Sequence, residues 1–328
     1  MAIRIKKDGT EQSGLVDDDV VQPFRLEKCN VRGRMVRLGP VLKEMLAQHN
    51  YPPPVSALLS EVTTLCLLLA GMLKYEGIFT LQIKGDGPIR LLVADVTSQG
   101  EVRAYAGFDE AAVKKVAKRK QGEAEGFFHL LGKGYIAFTV DQGNSEDRYQ
   151  GIVELKGSSL ADAVQHYFAQ SEQIKTSFKL AVHPQDAQWR TGAIMLQQLP
   201  EEGGNENETD GETAERTSET SIEDWARSVM LLNTCSDGEM LSPVLASSDV
   251  LYRLFHEDGV RIYTPKHVHF KCRCSRPKVV NILRTIPRRE LEEVCEKDGK
   301  VSIKCEFCSE EYNFTAEQLE EVYEDAKE

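Results

Sequence analysis

Three features that assign many proteins to a class are missing from this sequence of 328 residues. The first residues, MAIRIKKDGTEQSG, contain no apolar segment, so no secretory signal is visible and we expect a cytoplasmic protein. The longest apolar stretch, residues 56–77, is interrupted by Ser60, Glu61 and two threonines, which predicts a buried core helix and no membrane contact. No Ser/His/Asp grouping or pair of carboxylates stands out, and we therefore do not expect an enzyme.

The sequence also lacks an excess of positive charge. It has 40 Lys and Arg against 52 Asp and Glu, a net charge of −12, which argues against a protein built mainly to hold nucleic acid. Its hydrophobic fraction of 41% is ordinary for a globular protein, and its length of 328 residues predicts one large domain plus a smaller one. Eight cysteines are present. In a reducing cytosol, paired thiols indicate metal or redox chemistry rather than a disulfide scaffold.

Four of these cysteines form two pairs near the C-terminus, Cys272-x-Cys274 and Cys305-x-x-Cys308, with 30 residues between the pairs. Zn²⁺ prefers four soft ligands in a tetrahedron at about 2.3 Å. Residues i and i+2 of an extended chain point to the same side, so Cys272 and Cys274 can reach one ion. The spacing predicts one zinc ion bound by four cysteines, with iron–sulfur ligation as an alternative. Such a closed site has no open position for metal-assisted hydrolysis.

Two features next to the first pair admit other interpretations. His267 and His269 are potential ligands, but with four thiolates available we expect them on the surface or beside the ligands. Residues 266–289 contain eight basic residues and no acidic one: Lys266, Lys271, Arg273, Arg276, Lys278, Arg284, Arg288 and Arg289. These cations form a solvated face, stabilise the thiolates of a zinc centre, or bind phosphate as in a nucleic-acid zinc ribbon. The acidic residues 290–328 argue against phosphate binding.

The pattern before residue 200 predicts an α+β domain dominated by antiparallel strands. Helices are predicted over residues 41–76, with a break at the three prolines 52–54, over residues 114–125, and over residues 160–173 with Ser158 or Ser159 as the cap. The predicted strands are residues 77–83, 89–96, 101–108, 134–140, 148–155, 176–183 and 193–199.

An acidic tract and short amphipathic helices follow this domain. Residues 201–224 hold ten acidic residues and one basic residue, which predicts a flexible linker, with a functional tail as the alternative. Ser236 and Glu239 form a capping-box pattern, and Gly259 is a good C′ residue. Helices this short need a surface to dock on, permanently or as a switch. Their apolar stripes are Ile222, Trp225, Val229 and Leu232, then Val250, Leu251, Leu254 and Phe255.

The roughly 66 residues after residue 262 have modest apolar content and should depend on their metal. Structural zinc contributes ~10–16 kcal/mol, which exceeds the stability of a typical domain. Oxidation of the thiolates to disulfides would expel zinc and unfold this module. A disulfide within a CxC closes a very small ring, so it is strained and readily reduced. The sequence therefore predicts a reversible switch.

Taken together, these segments resemble the heat shock protein 33 family, the redox-regulated holdase chaperones of the bacterial cytosol. The resemblance rests on NYPPPVSALLSE, IKGDGPIRLLVAD, GKGYIAFTVDQG and HYFAQSEQIKTSF in the first domain, and on LYRLFHEDGVRIY, HFKCRCSRPKV and DGKVSIKCEFCSEEYNF towards the end. It implies a chaperone domain over residues 1–200, the acidic tract plus a metastable helical linker over residues 201–262, and a zinc-binding redox switch over residues 263–328.

The resemblance also implies a mechanism. The four paired cysteines would bind zinc in the reduced, inactive protein, and oxidation would pair Cys272 with Cys274 and Cys305 with Cys308. The linker would then unfold, and the protein would hold unfolding clients without ATP during oxidative stress, as a homodimer. The candidate client-binding residues are Trp225, Val229, Leu232, Val250, Leu251, Leu254 and Phe255.

Four cysteines lie outside the motif, and two rival functions are open. Cys66, in an apolar helix, is expected to be buried and inert, whereas Cys235 and Cys295 are candidates for further reactivity, and no role is predicted for Cys29. A zinc-ribbon nucleic-acid-binding protein would use residues 266–289. A thiol–disulfide oxidoreductase would use CEFC, although that chemistry usually needs the pair at the start of a helix that follows a strand.

Overall fold

The computed structural model describes residues 3–4, 18–117, 128–143, 149–185, 188–199, 218–287, 289 and 300–324. The chain divides into two compact units: Met1–Leu46 with Tyr51–Phe270, and Ala47–Asn50 with Lys271–Glu328. The first unit combines two sheets with helices and the second holds the four paired cysteines, which confirms the predicted α+β class.

The first sheet has the strand order β1-β11-β2-β3-β10-β9, and β12 pairs with β2. Its strands are β1 (Ile3–Arg4), β2 (Val20–Leu26), β3 (Val31–Leu38), β9 (Thr176–Gln185), β10 (Gln188–Gln198), β11 (Val260–Ile262) and β12 (Lys266–His267). The sequence pattern predicts β9 and part of β10 but not β2 and β3. Pro23 interrupts β2, and three arginines and a glycine break the apolar alternation of β3.

The second sheet has the order β13-β6-β5-β4-β7-β8. It contains β4 (Ile78–Gly85), β5 (Ile89–Thr97), β6 (Glu101–Phe108), β7 (Gly134–Asp141), β8 (Tyr149–Glu154) and β13 (His269–Phe270). The five strands predicted between residues 77 and 155 are all present, and their neighbours in the sheet pair antiparallel. Among the described strands of this sheet, only the short β13 runs parallel to its neighbour, β6. The meander was predictable because Gly- and Asp-containing turns separate strongly apolar runs.

A long apolar helix lies between the two sheets. The helical region predicted over residues 41–76, with a break at the three prolines 52–54, forms two helices, α1 (Pro40–Leu46) and α2 (Pro53–Ala70). Pro53 and Pro54 begin α2, where a missing N–H group leaves no hydrogen bond unmade. Among the described residues, α2 alone is long and apolar enough to cross a membrane, but 78% of that window is buried inside the fold. It contacts strands of both sheets and is the predicted core helix.

The other helices of the first unit are α3 (Glu110–Ala117), α4 (Phe128–Leu131), α5 (Leu160–Tyr167), α6 (Ser218–Asn233), α7 (Asp237–Leu241) and α8 (Ser247–Phe255). Ser159 caps α5 by accepting a hydrogen bond from Asp162 N at 3.0 Å, which decides between the two predicted caps. After α5 the chain forms a π-helical turn, Phe168–Glu172. The predicted capping box of α7 is confirmed. Residues 118–125 of the predicted polar helix lie outside the described residues.

Helix α6 corrects the interpretation of the acidic tract. The prediction of a flexible linker over residues 201–224 is wrong for residues 218–224, which are helical; residues 201–217 lie outside the described residues. The buried side of α6 follows Asp224, Ser228 and Leu232, whereas Ile222 is 57% exposed instead of docked. Burial of Asp224 is tolerated because its carboxylate pairs with Arg227 at 3.2 Å.

The first sheet separates two apolar cores. Val36 and Leu38 of β3 face the core around α2, whereas Met35 and Phe24 face α6 to α8, as the alternation of strand side chains requires. Gly33 leaves room for the ring of Phe24, since a Cβ there would lie 2.1 Å from the ring. Phe24 in turn stacks on Phe255 of α8, with ring centroids 6.0 Å apart. The three helices therefore cover a core of their own.

The second unit is small. It contains α9 (Arg276–Leu283), the hairpin of β14 (Lys300–Lys304) and β15 (Glu311–Thr315), and α10 (Ala316–Glu324). Its described core has five buried apolar residues: Val279, Leu283, Val301, Phe314 and Val322. The guanidinium of Arg276 lies 4.2 Å above the ring of Phe314. A core of this size gives little stability by itself.

Candidate metal centre

The two cysteine pairs are presented by two different local structures. Cys305 and Cys308 lie in the turn between β14 and β15, where Cys305 N donates to Glu310 O at 2.8 Å and Ser309 N donates to Cys305 O at 2.9 Å. Ser309 closes this turn in the left-handed region, with φ of 59°. Cys272 and Cys274 lie on the segment just before α9. The β14–β15 turn and the segment before α9 therefore each hold two sulfurs.

The four sulfurs meet as the spacing predicts. All four lie within 4.8 Å of one another. The Sγ atoms of Cys272 and Cys305 are 3.7 Å apart, and those of Cys274 and Cys308 are 3.4 Å apart. Four sulfurs at about 2.3 Å from a tetrahedral Zn²⁺ would be about 3.8 Å apart, so the cluster fits such an ion. At a disulfide bond length of about 2.0 Å these contacts would be much shorter, and the four are free cysteines.

The electrostatics of the cluster favour a bound cation. Burial raises the pKa of the Cys274 thiol, and it also raises the pKa of the Cys308 thiol. Four thiolates in one place would repel each other, which disfavours the charged cluster in the absence of a cation. A metal dication reverses this balance, because it deprotonates the thiols that coordinate it. The cluster is therefore a site for a soft cation and a poor site for free thiolates.

Side chains around the cluster form hydrogen bonds with the cluster or with other residues of the second unit. The hydroxyl of Tyr312, on β15, donates a hydrogen bond to Cys274 Sγ at 3.2 Å. Arg276 donates to Asn313 O at 3.0 Å and to Gln318 Oε1 at 3.0 Å, and Lys278 donates to Arg273 O at 2.7 Å. These members of the basic stretch hold the unit together internally, which favours a structural role over phosphate binding. Arg288 lies outside the described residues.

The histidines and the remaining cysteines lie elsewhere. His267 and His269 are exposed residues of β12 and β13, and neither belongs to the metal-competent group found among the described residues. Cys66 is fully buried, as predicted, and burial raises the pKa of its thiol. Cys235 is also fully buried with a raised thiol pKa, which disfavours reaction in this state. Cys295 lies outside the described residues.

Comparison with known proteins agrees with this geometry. The family model described as Hsp33 protein matches residues 19–315. The chain belongs to the Hsp33 family. A 33 kDa chaperonin of Caulobacter vibrioides is 38% identical over 90% of this chain and 94% of its own length, and one of Photobacterium profundum is 33% identical over 94% and 96%. The crystal structure of the Thermotoga maritima homologue has the same fold, with a TM-score of 0.74, 23% identity, and coverage of 95% of this chain and 99% of that one.

In this Hsp33 chain, the helices before the metal centre are fastened to the first sheet by more than apolar contacts. Arg37 of β3, only 1% exposed, donates through Nη2 to Glu239 O of α7 at 2.8 Å and through Nη1 to Leu245 O. Arg190 of β10 donates to Leu241 O, also of α7, at 3.2 Å. Two arginines of the sheet thus satisfy carbonyls at the end of α7 and just beyond it. Neither role was predictable from the sequence, because an arginine within a strand is normally exposed.

A second polar contact holds α6. Arg227 forms ion pairs with Asp224 and with Asp258, which is 2% exposed, and its Nη2 lies 3.1 Å from Cys29 Sγ. Burial and the nearby Asp258 carboxylate raise the pKa of the Cys29 thiol to about 11. Cys29 is therefore a neutral hydrogen-bonding partner in this Hsp33 chain at neutral pH and a poor nucleophile.

The seven residues predicted to bind clients all lie on the docked helices. Leu232, Val250, Leu251, Leu254 and Phe255 are buried in the core between the first sheet and α6 to α8. Trp225 packs against that core and is partly buried, as is Val229. The folded Hsp33 chain thus hides most of the candidate client-binding surface.

Proposed function

We propose that this chain is a cytoplasmic, redox-regulated holdase chaperone that acts without ATP and is inactive while its four cysteines hold zinc. The observation that carries the proposal is the sulfur cluster, which fits one tetrahedral ion and stands on a unit with only five described core residues. Bound zinc would supply a cross-link between the CxC segment and the β14–β15 turn and would keep the thiolates deprotonated. The unit would then stay folded only while its cysteines are reduced.

Oxidation by a peroxide would dismantle this cross-link in two steps at each pair. One thiolate attacks a peroxide oxygen: an S–O bond forms, the O–O bond breaks, and hydroxide leaves a sulfenic acid on the cysteine. The second thiolate then attacks that sulfur, an S–S bond forms, and a second hydroxide departs. Each disulfide consumes one peroxide and two thiolates. Two disulfides leave no thiolate to bind zinc.

The consequence for the helices follows from what they cover. If α6, α7 and α8 leave the first sheet, Phe24, Met35, Ile194 and Leu196 lose their cover, and the apolar stripes of the helices are exposed as well. Apolar patches of this kind bind other apolar chains. Trp225, Val229, Leu232, Val250, Leu251, Leu254 and Phe255 are our candidates for client contact. We further propose that the activated protein is a homodimer, which light scattering before and after oxidation would test.

Peroxide treatment of the zinc-loaded protein at a mildly denaturing temperature is expected to release zinc and to suppress aggregation of a separate unfolding protein. Thiol reductant with added zinc should reverse both effects, because each disulfide is reducible. Zinc release is followed with a chromophoric chelator and aggregation by light scattering in the same cuvette. The proposal fails if zinc is lost without anti-aggregation activity, which would leave a purely structural metal unit.

The pairing of the oxidised cysteines is a separate prediction. We expect Cys272–Cys274 and Cys305–Cys308, which join neighbours and leave the two halves of the site unconnected. Two sulfur contacts in the reduced state instead join the halves, Cys272 to Cys305 at 3.7 Å and Cys274 to Cys308 at 3.4 Å. Disulfides between those pairs would preserve the cross-link and keep the unit folded. Peptide mass spectrometry of the oxidised, alkylated protein distinguishes the two sets, and cross-linked halves would refute the switch.

The local structure disfavours a thiol–disulfide oxidoreductase. Cys305 and Cys308 lie in a turn between two strands, not at a helix N-terminus, which is where the dipole and free N–H groups lower a thiol pKa. Burial raises the pKa of Cys308 instead. Turnover of a model disulfide substrate, measured beside the aggregation assay, is expected to stay at the level of a free thiol.

A further inference from the structure

Tyr312 connects the two halves of the metal centre. It lies on β15, opposite Ile303 of β14, and so belongs to the hairpin that carries Cys305 and Cys308. Its hydroxyl nevertheless donates to Cys274 Sγ, 38 positions earlier in the sequence, at 3.2 Å. The phenol of one half therefore contacts a sulfur of the other half. Within the described part of the chain, the hydroxyl of Tyr312 thus donates a hydrogen bond to one of the four sulfurs of the cluster.

A hydrogen bond of this kind changes the chemistry of the sulfur that accepts it. A donor aimed at a thiolate stabilises the negative charge on sulfur and makes its lone pairs less available. Both coordination and attack on an oxidant use those lone pairs. Because groups beside a metal ligand orient it and tune its basicity, the hydroxyl acts on Cys274 without touching the ion or the oxidant.

We propose that Tyr312 is a positioning residue that restrains Cys274, so that the site survives low levels of oxidant and opens only when oxidant is abundant. The proposal rests on the function proposed above in naming an oxidant as the signal. The step affected is the attack of the Cys274 thiolate on a peroxide oxygen, in which S–O forms, O–O breaks and hydroxide leaves. The Cys272 thiolate then displaces hydroxide from the resulting sulfenic acid and completes the Cys272–Cys274 disulfide.

The size of the effect can be bounded. A hydrogen bond to a charged group stabilises that group by a factor of about ten to a hundred. Attack on a peroxide oxygen draws negative charge off the sulfur, so a fraction of about 0.4 to 0.5 of this stabilisation, on a logarithmic scale, is lost in the transition state. Removing the hydroxyl should therefore raise the rate at Cys274 by about 3- to 10-fold. The ring of Tyr312, which packs against the core of the second unit, is retained in phenylalanine.

The test is Tyr312→Phe in the full-length, zinc-loaded protein without any client present. At limiting peroxide, we expect alkylation and mass spectrometry to show that Cys272 and Cys274 are lost about 3- to 10-fold faster than in the wild type. The cobalt-substituted protein gives a second readout, because a sulfur without its hydrogen bond donates charge more readily. Its thiolate-to-cobalt absorption band should shift to lower energy, which a merely structural role of the ring would not produce.

The control is Tyr263→Phe, which removes a hydroxyl in the first unit, where Tyr263 has its contacts through the backbone. Its oxidation rate and cobalt spectrum should equal those of the wild type. An unchanged rate and spectrum in Tyr312→Phe would overturn the proposal, and so would loss of zinc before any oxidant is added. Because no client is used, failure of the chaperone function would appear only in the aggregation assay and would leave these readouts interpretable.

Discussion

Removing zinc from the reduced protein is expected to unfold the second unit while the first unit stays folded. The second unit has five buried apolar residues in its described part, whereas the first unit has two large cores of its own. Structural zinc contributes about 10–16 kcal/mol, and a whole domain is stable by only about 5–15 kcal/mol. The metal term therefore exceeds anything that a core of this size can supply.

Hydrogen exchange measures this prediction at individual strands. In the zinc-loaded protein the amides of β14 and β15 should be protected by their antiparallel pairing, from Lys300 opposite Thr315 to Lys304 opposite Glu311. After treatment with a strong chelator under reducing conditions, that protection should vanish. The amides of β4, β5 and β7, in the centre of the second sheet, should exchange as before.

Two cysteine variants separate metal loss from other effects of the chelator. Cys305→Ser removes one of the four ligands and should reproduce the unfolding without a chelator. Cys295→Ser removes a cysteine but keeps all four sulfurs of the cluster, so it should bind zinc and retain protection. Survival of the β14–β15 protection in metal-free protein would show that the small core is sufficient, and the proposed switch would then have no means of acting.

The cysteine cluster was predictable from sequence, because binding one ion constrains the spacing of the ligands. Ligands at i and i+2 of an extended segment and at i and i+3 of a turn can converge on one ion, and no other arrangement of these eight cysteines is as regular. The meander from β4 to β8 was predictable for a similar local reason, since each strand alternates and each turn has its own signature. Local sequence patterns therefore predict the parts of the structure whose contacts lie close together in the sequence.

The polar contacts between residues far apart in the sequence were not predictable. Tyr312 reaches Cys274 only after folding brings two distant segments side by side. β3 escaped prediction because Arg32, Arg34 and Arg37 interrupt its apolar pattern, although Arg37 donates a hydrogen bond to α7. In α6 the apolar stripe suggested that Ile222 would dock, but ion pairing allows Asp224 to be buried in its place. Polar burial depends on partners that a single segment does not contain.

Arg37→Met is expected to loosen α7 and α8 from the first sheet even when the cysteines are reduced and zinc is bound. The substitution removes the donors to Glu239 O and Leu245 O, and a buried carbonyl left without a partner costs about 1–3 kcal/mol. The substitution also removes a charge that is costly to bury, and this part of the change is stabilising. Burial lowers the pKa of Arg37 to about 10, and its Nε has no partner among the described residues.

The cost of leaving the two carbonyls without a donor should exceed the gain from removing the buried charge of Arg37. Two carbonyls left without a donor cost about 1–3 kcal/mol each, and methionine fills the space without satisfying either carbonyl. Allowing for the relief of the guanidinium, we expect the docking of α7 and α8 to weaken by about 2–4 kcal/mol. Amides from Val250 to Phe255 should then exchange about 30- to 700-fold faster, since each 1.4 kcal/mol is a factor of ten.

The matched control is Arg90→Met, an exposed arginine of β5, which removes the same charge and should leave exchange in α8 unchanged.

The proposed function adds a further consequence. If the apolar sheet face beneath the helices binds clients, reduced Arg37→Met should suppress aggregation without oxidant, although its zinc content and its four thiols are intact. Faster exchange without this activity would mean that undocking alone is insufficient and that client binding also needs the second unit to unfold. Unchanged exchange in α8 would mean that the apolar core alone holds the helices on the sheet and that Arg37 does not contribute to their docking.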